Sequence, residues 1–285
     1  MANWIPVLSL LPRNAISQAF GVVARLRLPI FSSCFRDWFV RQFHIDMSDA
    51  TLAQKDYATV QELFVRELKP GARAISSDEL VSPVDGRLSQ CGFLDDSNLQ
   101  MIQAKGRTYS LANLLRDPSV AERFRGGSWA VIYLAPFNYH RIHSPVAGTL
   151  QAAYYCPGTL WPVNVHSVAR IDELFCVNER LTSHVLMENG GEVLVVKVGA
   201  TNVGRISLAY TKDIVTNTSH VPTRRLPLSI WKPQSPLPIS KAGQLGTFEL
   251  GSTVVLVCSR EVRERHPKLF QAWLGRDVRM GQSLN

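Results

Sequence analysis

The chain has 285 residues, 46% of them hydrophobic and 19% charged. That composition supports a packed core and excludes a disordered chain or a small disulfide scaffold. Thirty-one Lys and Arg against 23 Asp and Glu leave a net charge of +8, which suits an anionic membrane surface or nucleic acid and equally a plain soluble protein.

The opening is basic and apolar. No acidic residue precedes Asp37, and Arg13, Arg25, Arg27 and Arg36 are spread among Trp4, Ile5, Leu8, Leu10, Leu11, Ile16, Phe20, Val23 and Leu26. The arginines interrupt every apolar run before it reaches the roughly 18 to 20 residues of a membrane span. Pro6, Pro12 and the missing early basic region argue against a secretory signal, whereas an organelle transit peptide stays open. Ile16, Phe20 and Val23 fall at helical spacing, and Phe35, Trp38, Phe39 and Phe43 form a second stripe opposite Arg36, Arg41 and Gln42. Two amphipathic helices follow, which either pack on a core or lie in a bilayer interface.

Thr59-Val60-Gln61-Glu62 fits a capping box, predicting a helix that ends near Pro70-Gly71. From Val81 onward the chain reads as short β-branched runs, clearest at 129–134, 193–198 and 253–257. Helical inserts are expected around Leu111, Leu114 and Leu115, and around Leu269, Trp273 and Leu274. Residues 222–238 carry Pro222, Pro227, Pro233, Pro236 and Pro238 and read as an irregular surface segment, either a linker or a lid. The fold class is α+β, with a mainly antiparallel, barrel-like sheet domain preceded by amphipathic helices. The cysteines Cys34, Cys91, Cys156, Cys176 and Cys258 form no C-x-x-C pair, so neither a zinc ribbon nor a disulfide framework is indicated.

Three segments set reactive side chains beside special backbone. In Ser82-Pro83-Val84-Asp85-Gly86 a turn fixes the Asp85 carboxylate, although Asp also favours turns without any further role. Tyr139-His140-Arg141-Ile142-His143 holds two histidines at i, i+3; no Cys, Asp or Glu joins them as a metal ligand, and packing or acid/base work are the other readings. At Leu250-Gly251-Ser252-Thr253 a hydroxyl nucleophile adjoins a peptide bond that glycine leaves open to attack, at the head of an apolar strand. Asp85, His143 and Ser252 are together the parts of a triad, a constellation defined by geometry and not by order.

The chain resembles the phosphatidylserine decarboxylase family, pyruvoyl-dependent enzymes whose proenzyme cleaves itself at a Gly-Ser bond. The resemblance runs from about Tyr57 to Arg260 through Glu62-Leu63-Phe64-Val65-Arg66, Ser82-Pro83-Val84-Asp85-Gly86, Gln103-Ala104-Lys105-Gly106, Tyr133-Leu134-Ala135-Pro136, Tyr139-His140-Arg141-Ile142-His143, Pro157-Gly158-Thr159-Leu160, Asn178-Glu179-Arg180, Val198-Gly199-Ala200-Thr201 and Leu250-Gly251-Ser252-Thr253. It implies self-cleavage between Gly251 and Ser252 by Asp85, His143 and Ser252, into chains 1–251 and 252–285 that stay together as a heterodimer and could dimerise further. It also implies a pyruvoyl group made from Ser252, the covalent cofactor, with no metal and no pyridoxal phosphate. That ketone would form a Schiff base with the serine amine of phosphatidylserine and take up the electrons released with carbon dioxide. His140 is expected to return a proton in turnover, because histidine titrates near working pH, and His143 to serve both steps.

Leu160, Trp161 and Asn164 align with the family's run beside bound lipid, Trp161 and Pro162 replacing the usual residues there. Ala242 and Gln244 stand where the family pattern carries Gly and Glu. A phospholipid substrate makes residues 1–56 a membrane-associating segment, its arginines on headgroups and Phe35, Trp38 and Phe39 in the acyl boundary, ahead of a decarboxylase domain at 57–285. The partners implied are phosphatidylserine and an anionic membrane surface, not nucleic acid. The expected place is the cytoplasmic face of a bacterial cell membrane, or a mitochondrial inner membrane. The rival readings are a serine hydrolase that uses the same three residues without self-cleavage, and a non-catalytic lipid-binding β domain.

Overall fold

A computed structural model describes residues 13–97, 99–104, 106–201, 205–214, 216–217, 226–249 and 252–285. Trp4 to Leu11, Lys105, Pro222, Arg224, Arg225, Leu250 and Gly251 lie outside them.

The strands are β1 (Gly86–Phe93), β2 (Gln100–Ala104), β3 (Arg107–Ser110), β4 (Ser128–Leu134), β5 (Arg141–His143), β6 (Gly148–Cys156) and β7 (Arg180–Leu186), followed by β8 (Glu192–Val198), β9 (Ile206–Leu208), β10 (Ser229–Trp231), β11 (Leu237–Ile239), β12 (Gln244–Phe248), β13 (Ser252–Cys258) and β14 (Asp277–Val278). The main sheet is antiparallel in the order β10-β6-β7-β8-β13-β4-β1-β14, with β11 also on β6. The three apolar runs thus sit side by side at its centre. They read as continuous runs because both faces are covered. Val255 and Val257 pack with Val131, Leu194, Val196 and Val198 on one side, while Val254 and Leu256 pack with Ile132, Leu134, Val193 and Val195 on the other. At roughly 1.5 to 3 kcal/mol for each fully buried aliphatic side chain, β13 alone anchors the last 34 residues firmly. The short sheet β5-β12-β9 and the hairpin β2-β3 complete the strands. The sheet is open: among the described residues β10 and β14 end it on opposite sides, and no barrel closes.

Among the described residues eight α-helices surround it: α1 (Arg13–Arg25), α2 (Pro29–Phe43), α3 (Val60–Phe64), α4 (Leu111–Leu115), α5 (Pro118–Glu122), α6 (Val165–Val168), α7 (Leu174–Val177) and α8 (Arg260–Arg265). Thr59 caps α3 by accepting from the Glu62 backbone N–H at 3.1 Å. The helix stops at Phe64, six residues short of Pro70, because the chain turns to bury Arg66 and to bridge Leu68 to Ala50. The last helix is α8, earlier than expected: Pro267 ends it, and Leu269 and Phe270 pack as core residues, with only a 3-10 turn at Gln271–Trp273. The described part of the proline-rich stretch holds β10 and β11, edge strands on β6 where proline is tolerated.

The N-terminal helices are pinned to the domain. Arg25 pairs with Glu249 at 2.6 Å, Arg27 with Glu62 at 2.8 Å, and Asn14 Nδ2 donates to the Gly158 carbonyl at 3.2 Å. Two residues assigned to the membrane side are buried instead. Phe39, 5% exposed, packs its ring 4.7 Å from that of Phe43 and 6.1 Å from Phe64. Arg36, 7% exposed, donates to the carbonyls of Lys55 and Tyr57 and pairs with Asp37. The outward apolar surface comes from Val22, Leu28, Ile30, Phe31 and Trp38, with Ile30 81% exposed. Among the described residues no helix is long and apolar enough to cross a membrane.

Candidate active site

Asp85 ends the turn that leads into β1. Gly86 follows it because a Cβ there would lie 2.6 Å from the Tyr133 carbonyl oxygen. The Asp85 carboxylate accepts from Arg73 Nη2 at 2.6 Å and Nε at 3.1 Å, and from the Met280 backbone N–H at 2.8 Å. Burial alone would lower the Arg73 guanidinium, but its hydrogen bonds to Asp85 and Asp49 outweigh burial and raise it. Asp85 thereby ties β1 to the C-terminal segment.

His143 closes β5 and is held from both ends of its ring. Nδ1 lies 2.7 Å from the Ala242 carbonyl oxygen, which can only accept, so Nδ1 carries the hydrogen. Nε2 is then the free lone pair of the neutral ring, and it accepts from the Tyr139 hydroxyl at 3.1 Å. Burial lowers the His143 imidazole below its ordinary value against the opposing effect of the Ala242 bond, and burial pushes the Tyr139 phenol up to about 12. The result is a neutral base with a defined tautomer, the form a proton acceptor requires. Among the described residues Asp85 and His143 share no hydrogen bond; Asp85 acts on His143 through space, favouring its charged form, against a larger opposite effect of Arg141.

His140 is fully buried, stacked on Phe64 with ring centroids 3.9 Å apart. Its Nδ1 donates to the Asn138 carbonyl at 2.8 Å, and its Nε2 has no partner. Burial pushes it down to about 3. The reason for expecting a proton donor, titration near working pH, does not survive that burial, and His140 stands ready as a neutral acceptor.

Ser252 opens β13, its backbone opposite Leu134, where β4 passes into the loop that carries Asn138, Tyr139 and His140. Beside it Thr253 Oγ1 is buried without a partner. Thr253 also lines a mainly apolar cavity of about 390 Å³ with Tyr133, Val163, Asn164, Val168 and Phe175. Successive strand residues face opposite sides of a sheet, so this cavity lies on the Thr253 side of β13, with Val255 and Val257, and position 252 belongs to the side of Val254 and Leu256. Asn164 is in this cavity, although its side chain also caps α6 by accepting from the Ser167 N–H at 3.0 Å. Leu160 is fully buried. Trp161 is half-buried beneath the Arg13 guanidinium, 3.6 Å from the ring centre, and its backbone is clasped by the Asn178 side chain.

Several residues of the site had no assigned role. Arg73 sits in an irregular segment with no periodicity to mark it, and the Ala242 carbonyl acts through the backbone, which no side-chain pattern reveals. Tyr139 lay inside the histidine segment and was legible there as a hydroxyl at i−4 from His143. Glu179, whose side chain meets Tyr155 and Asn217 and none of these residues, is buried, and burial raises it to about 7 against the Tyr155 hydroxyl at 2.5 Å and the Asn217 N–H at 2.8 Å.

Residues 60–285 match the sequence profile of the phosphatidylserine decarboxylase family. The phosphatidylserine decarboxylase proenzyme of Myxococcus xanthus is 41% identical over 259 residues, 90% of this chain and 89% of that protein. The proenzyme of Anaeromyxobacter sp. is 41% identical over 286 residues, covering 99% and 97%, and that of Brevibacillus brevis is 37% identical over 277 residues, covering 96% and 94%.

Proposed function

The chain belongs to the phosphatidylserine decarboxylase family, and we propose that it cleaves itself between Gly251 and Ser252 and then converts phosphatidylserine to phosphatidylethanolamine and carbon dioxide. The family match supports the substrate and the reaction. The observation that carries the self-cleavage is the His143 tautomer, with its basic Nε2 kept unprotonated and held only by a hydroxyl that can turn away.

In the first stage His143 Nε2 takes the Ser252 hydroxyl proton as the oxygen attacks the Gly251 carbonyl, breaking the peptide C–N bond and leaving an ester. Loss of the Ser252 α-hydrogen then expels the Gly251 carboxylate. Water enters, ammonia leaves, and position 252 becomes the pyruvoyl group. Asp85 serves this stage by favouring the charged form of His143 and by anchoring Met280.

The pyruvoyl group supplies a carbonyl that accepts electrons as carbon dioxide departs. The chain's own part in turnover is proton handling. His140 is assigned the return of a proton to the α-carbon: burial disfavours its charged form, so a proton that reaches the free Nε2 from the reacting group is passed on and not kept.

The two chains stay joined on this reading. Residues 252–285 supply the central strand, and β14 pairs with β1, Ser283 bridges Val81, and the Ser82 N–H donates to the Gln282 carbonyl at 2.8 Å. Exposed Val22, Leu28, Ile30, Phe31 and Trp38 give α1 and α2 a face for an anionic membrane, making the protein peripheral.

The test is the intact mass under denaturing conditions. The expected result is two chains divided after Gly251, the shorter one lighter than residues 252–285 by one ammonia. Ser252→Ala and His143→Ala should remain single chains, and His140→Ala should be cut but release no carbon dioxide from phosphatidylserine. A single unmodified wild-type chain would refute the proposal.

A further inference from the structure

Among the described residues the other buried arginines, Arg36 and Arg180, are held by backbone carbonyls. Arg180, fully buried, donates from Nε to the Leu114 carbonyl, from Nη1 to those of Cys176 and Asn178, and from Nη2 to that of Asn113. Arg66 is the contrast. It is 4% exposed, yet only Nη2 is engaged, with the carbonyls of Phe137 at 3.1 Å and Asn138 at 3.5 Å. Its Nε and Nη1 are buried without a partner, and among the described residues no carboxylate pairs with it. Asp85 and Asp46 act on it only through space, and a buried cation with free donors and no carboxylate in contact is costly unless an anion completes it.

Its surroundings are those of the reaction centre. Phe137 and Asn138 lie in the loop between Leu134, opposite Ser252, and His140, whose Nε2 is also unpartnered and whose charged form Arg66 disfavours. Glu67 and Leu68, which follow Arg66, and Tyr139, which follows Asn138, line a cleft of about 290 Å³ together with Lys69, Arg73 and Arg141. Arg141 pairs with Glu67 and Arg73 with Asp85 and Asp49, so among the described residues Lys69, which donates to the Ser48 carbonyl, is the wall cation with no carboxylate partner and leaves a single positive charge facing an anion.

Resting on the decarboxylase reading above, we propose that Arg66 is the anion-binding residue of the active site and takes the phosphodiester of the lipid headgroup. The substrate carries two anions there, and the reaction separates them. The carboxylate must lose its charge as carbon dioxide leaves, so a buried cation fixed on it would hold the ground state more tightly than the transition state. The phosphodiester keeps its charge throughout and can be held without opposing the chemistry, and guanidinium is suited to phosphate oxygens.

The test uses the processed full-length enzyme, with self-cleavage and thermal unfolding checked first for Arg66→Met and Arg66→Lys. Glycerophosphoethanolamine, which has the phosphodiester and no carboxylate, is set against serine, which has the carboxylate and no phosphate, as competitors of phosphatidylserine decarboxylation. Arg66→Met should raise KM roughly tenfold or more with kcat changed less than about threefold, and weaken inhibition by glycerophosphoethanolamine in parallel while leaving inhibition by serine unchanged. Arg66→Lys should recover part of the loss. A fall in kcat at constant KM, or loss of serine inhibition instead, would assign Arg66 to the carboxylate or the reacting atoms and overturn the proposal. Unchanged kinetics would leave Arg66 a structural residue completed by water, and overturn it too. If the variants do not fold, glycerophosphoethanolamine must raise the melting temperature of the wild-type enzyme where ethanolamine does not; equal effects would refute it. A wild-type chain that neither cleaves nor releases carbon dioxide would instead remove the decarboxylase reading, independently of Arg66.

Discussion

Replacing Asp85 with asparagine separates its two roles, anchor and electrostatic partner of His143. The pair it forms with Arg73 is closed to solvent, the two side chains being 9% and 10% exposed. In Asp85→Asn the amide would keep an oxygen for the Met280 N–H but turn an amide donor or a neutral oxygen toward Arg73. Breaking a buried pair by removing one partner costs about 3 to 5 kcal/mol. Arg73 retains Asp49 at 2.7 Å, itself 43% exposed, so a loss below that range, about 2 to 3 kcal/mol, is expected. For a chain of this size that is a melting shift of about 3 to 5 °C. The assay is thermal and denaturant unfolding in the Ser252→Ala background, where no cleavage complicates the comparison. Adding Arg73→Met removes the stranded cation and should restore at least half of the loss. With Ser252 present, self-cleavage should be slow in both variants if the Asp85 charge acts on His143, and should recover in the double variant if anchoring is all that Asp85 does. A single variant that loses less than about 1 kcal/mol, or a double variant no more stable than the single, would refute the ion-pair argument.

Acid stability gives a second test. The His140 pKa lies near 3 against an ordinary 6.5, so between these values the unfolded chain binds a proton that the folded one refuses. Stability must therefore fall with falling pH by about 1.4 kcal/mol per unit, and His140→Asn, which keeps a donor for the Asn138 carbonyl, should flatten denaturant-derived stability over pH 4 to 6.5; an unchanged slope would show that His140 is not the group. Ala242 adopts φ of +62°, a conformation that costs a side chain about 1 kcal/mol. Ala242→Gly should therefore raise stability by between about 0 and 1 kcal/mol and leave the cleavage rate within about twofold, since His143 bonds only the carbonyl; a clear loss of stability would contradict this. Ile30→Asp with Phe31→Asp should reduce sedimentation with anionic vesicles about tenfold or more, and wild-type binding should weaken with salt. Phe39→Asp should instead lower the melting temperature, and unchanged vesicle binding in the double variant would place the membrane face elsewhere.

The sheet centre was legible because its strands are buried on both faces, which leaves unbroken β-branched runs such as Thr253 to Val257 in the sequence. The ends of α3 and α8 were not, since tertiary burial of Arg66 and packing of Leu269 and Phe270 decided them against local propensity. Pattern reading also places every arginine on a solvated face. Arg36, Arg66 and Arg180 break that rule because backbone carbonyls, invisible to a side-chain pattern, accept from them. Of the candidate site, the polar residues were legible and their connections were not: Asp85 is bound to Arg73, and His143 to Tyr139 and the backbone of Ala242.

Those connections impose an order on the proposed events. Ser252 and His143 are 109 residues apart in the chain, and the bonds that fix the His143 tautomer come from β5, from the turn before β12 and from Tyr139. The base is unprotonated on the correct nitrogen only after these segments have packed, so folding precedes cleavage. The same packing sets what cleavage can undo. The proposed cut falls at the head of β13, which β4 holds from Ser252 and β8 from Thr253, both as far as Cys258, and the chain beyond is fastened to β1 and to Asp85. A chain synthesised already divided at Gly251 would lack the strand that joins β4 to β8 and would have to recruit it from solution. Continuity through residue 251 therefore serves assembly of the sheet, and the Gly-Ser bond becomes dispensable only after it has brought β13 into place.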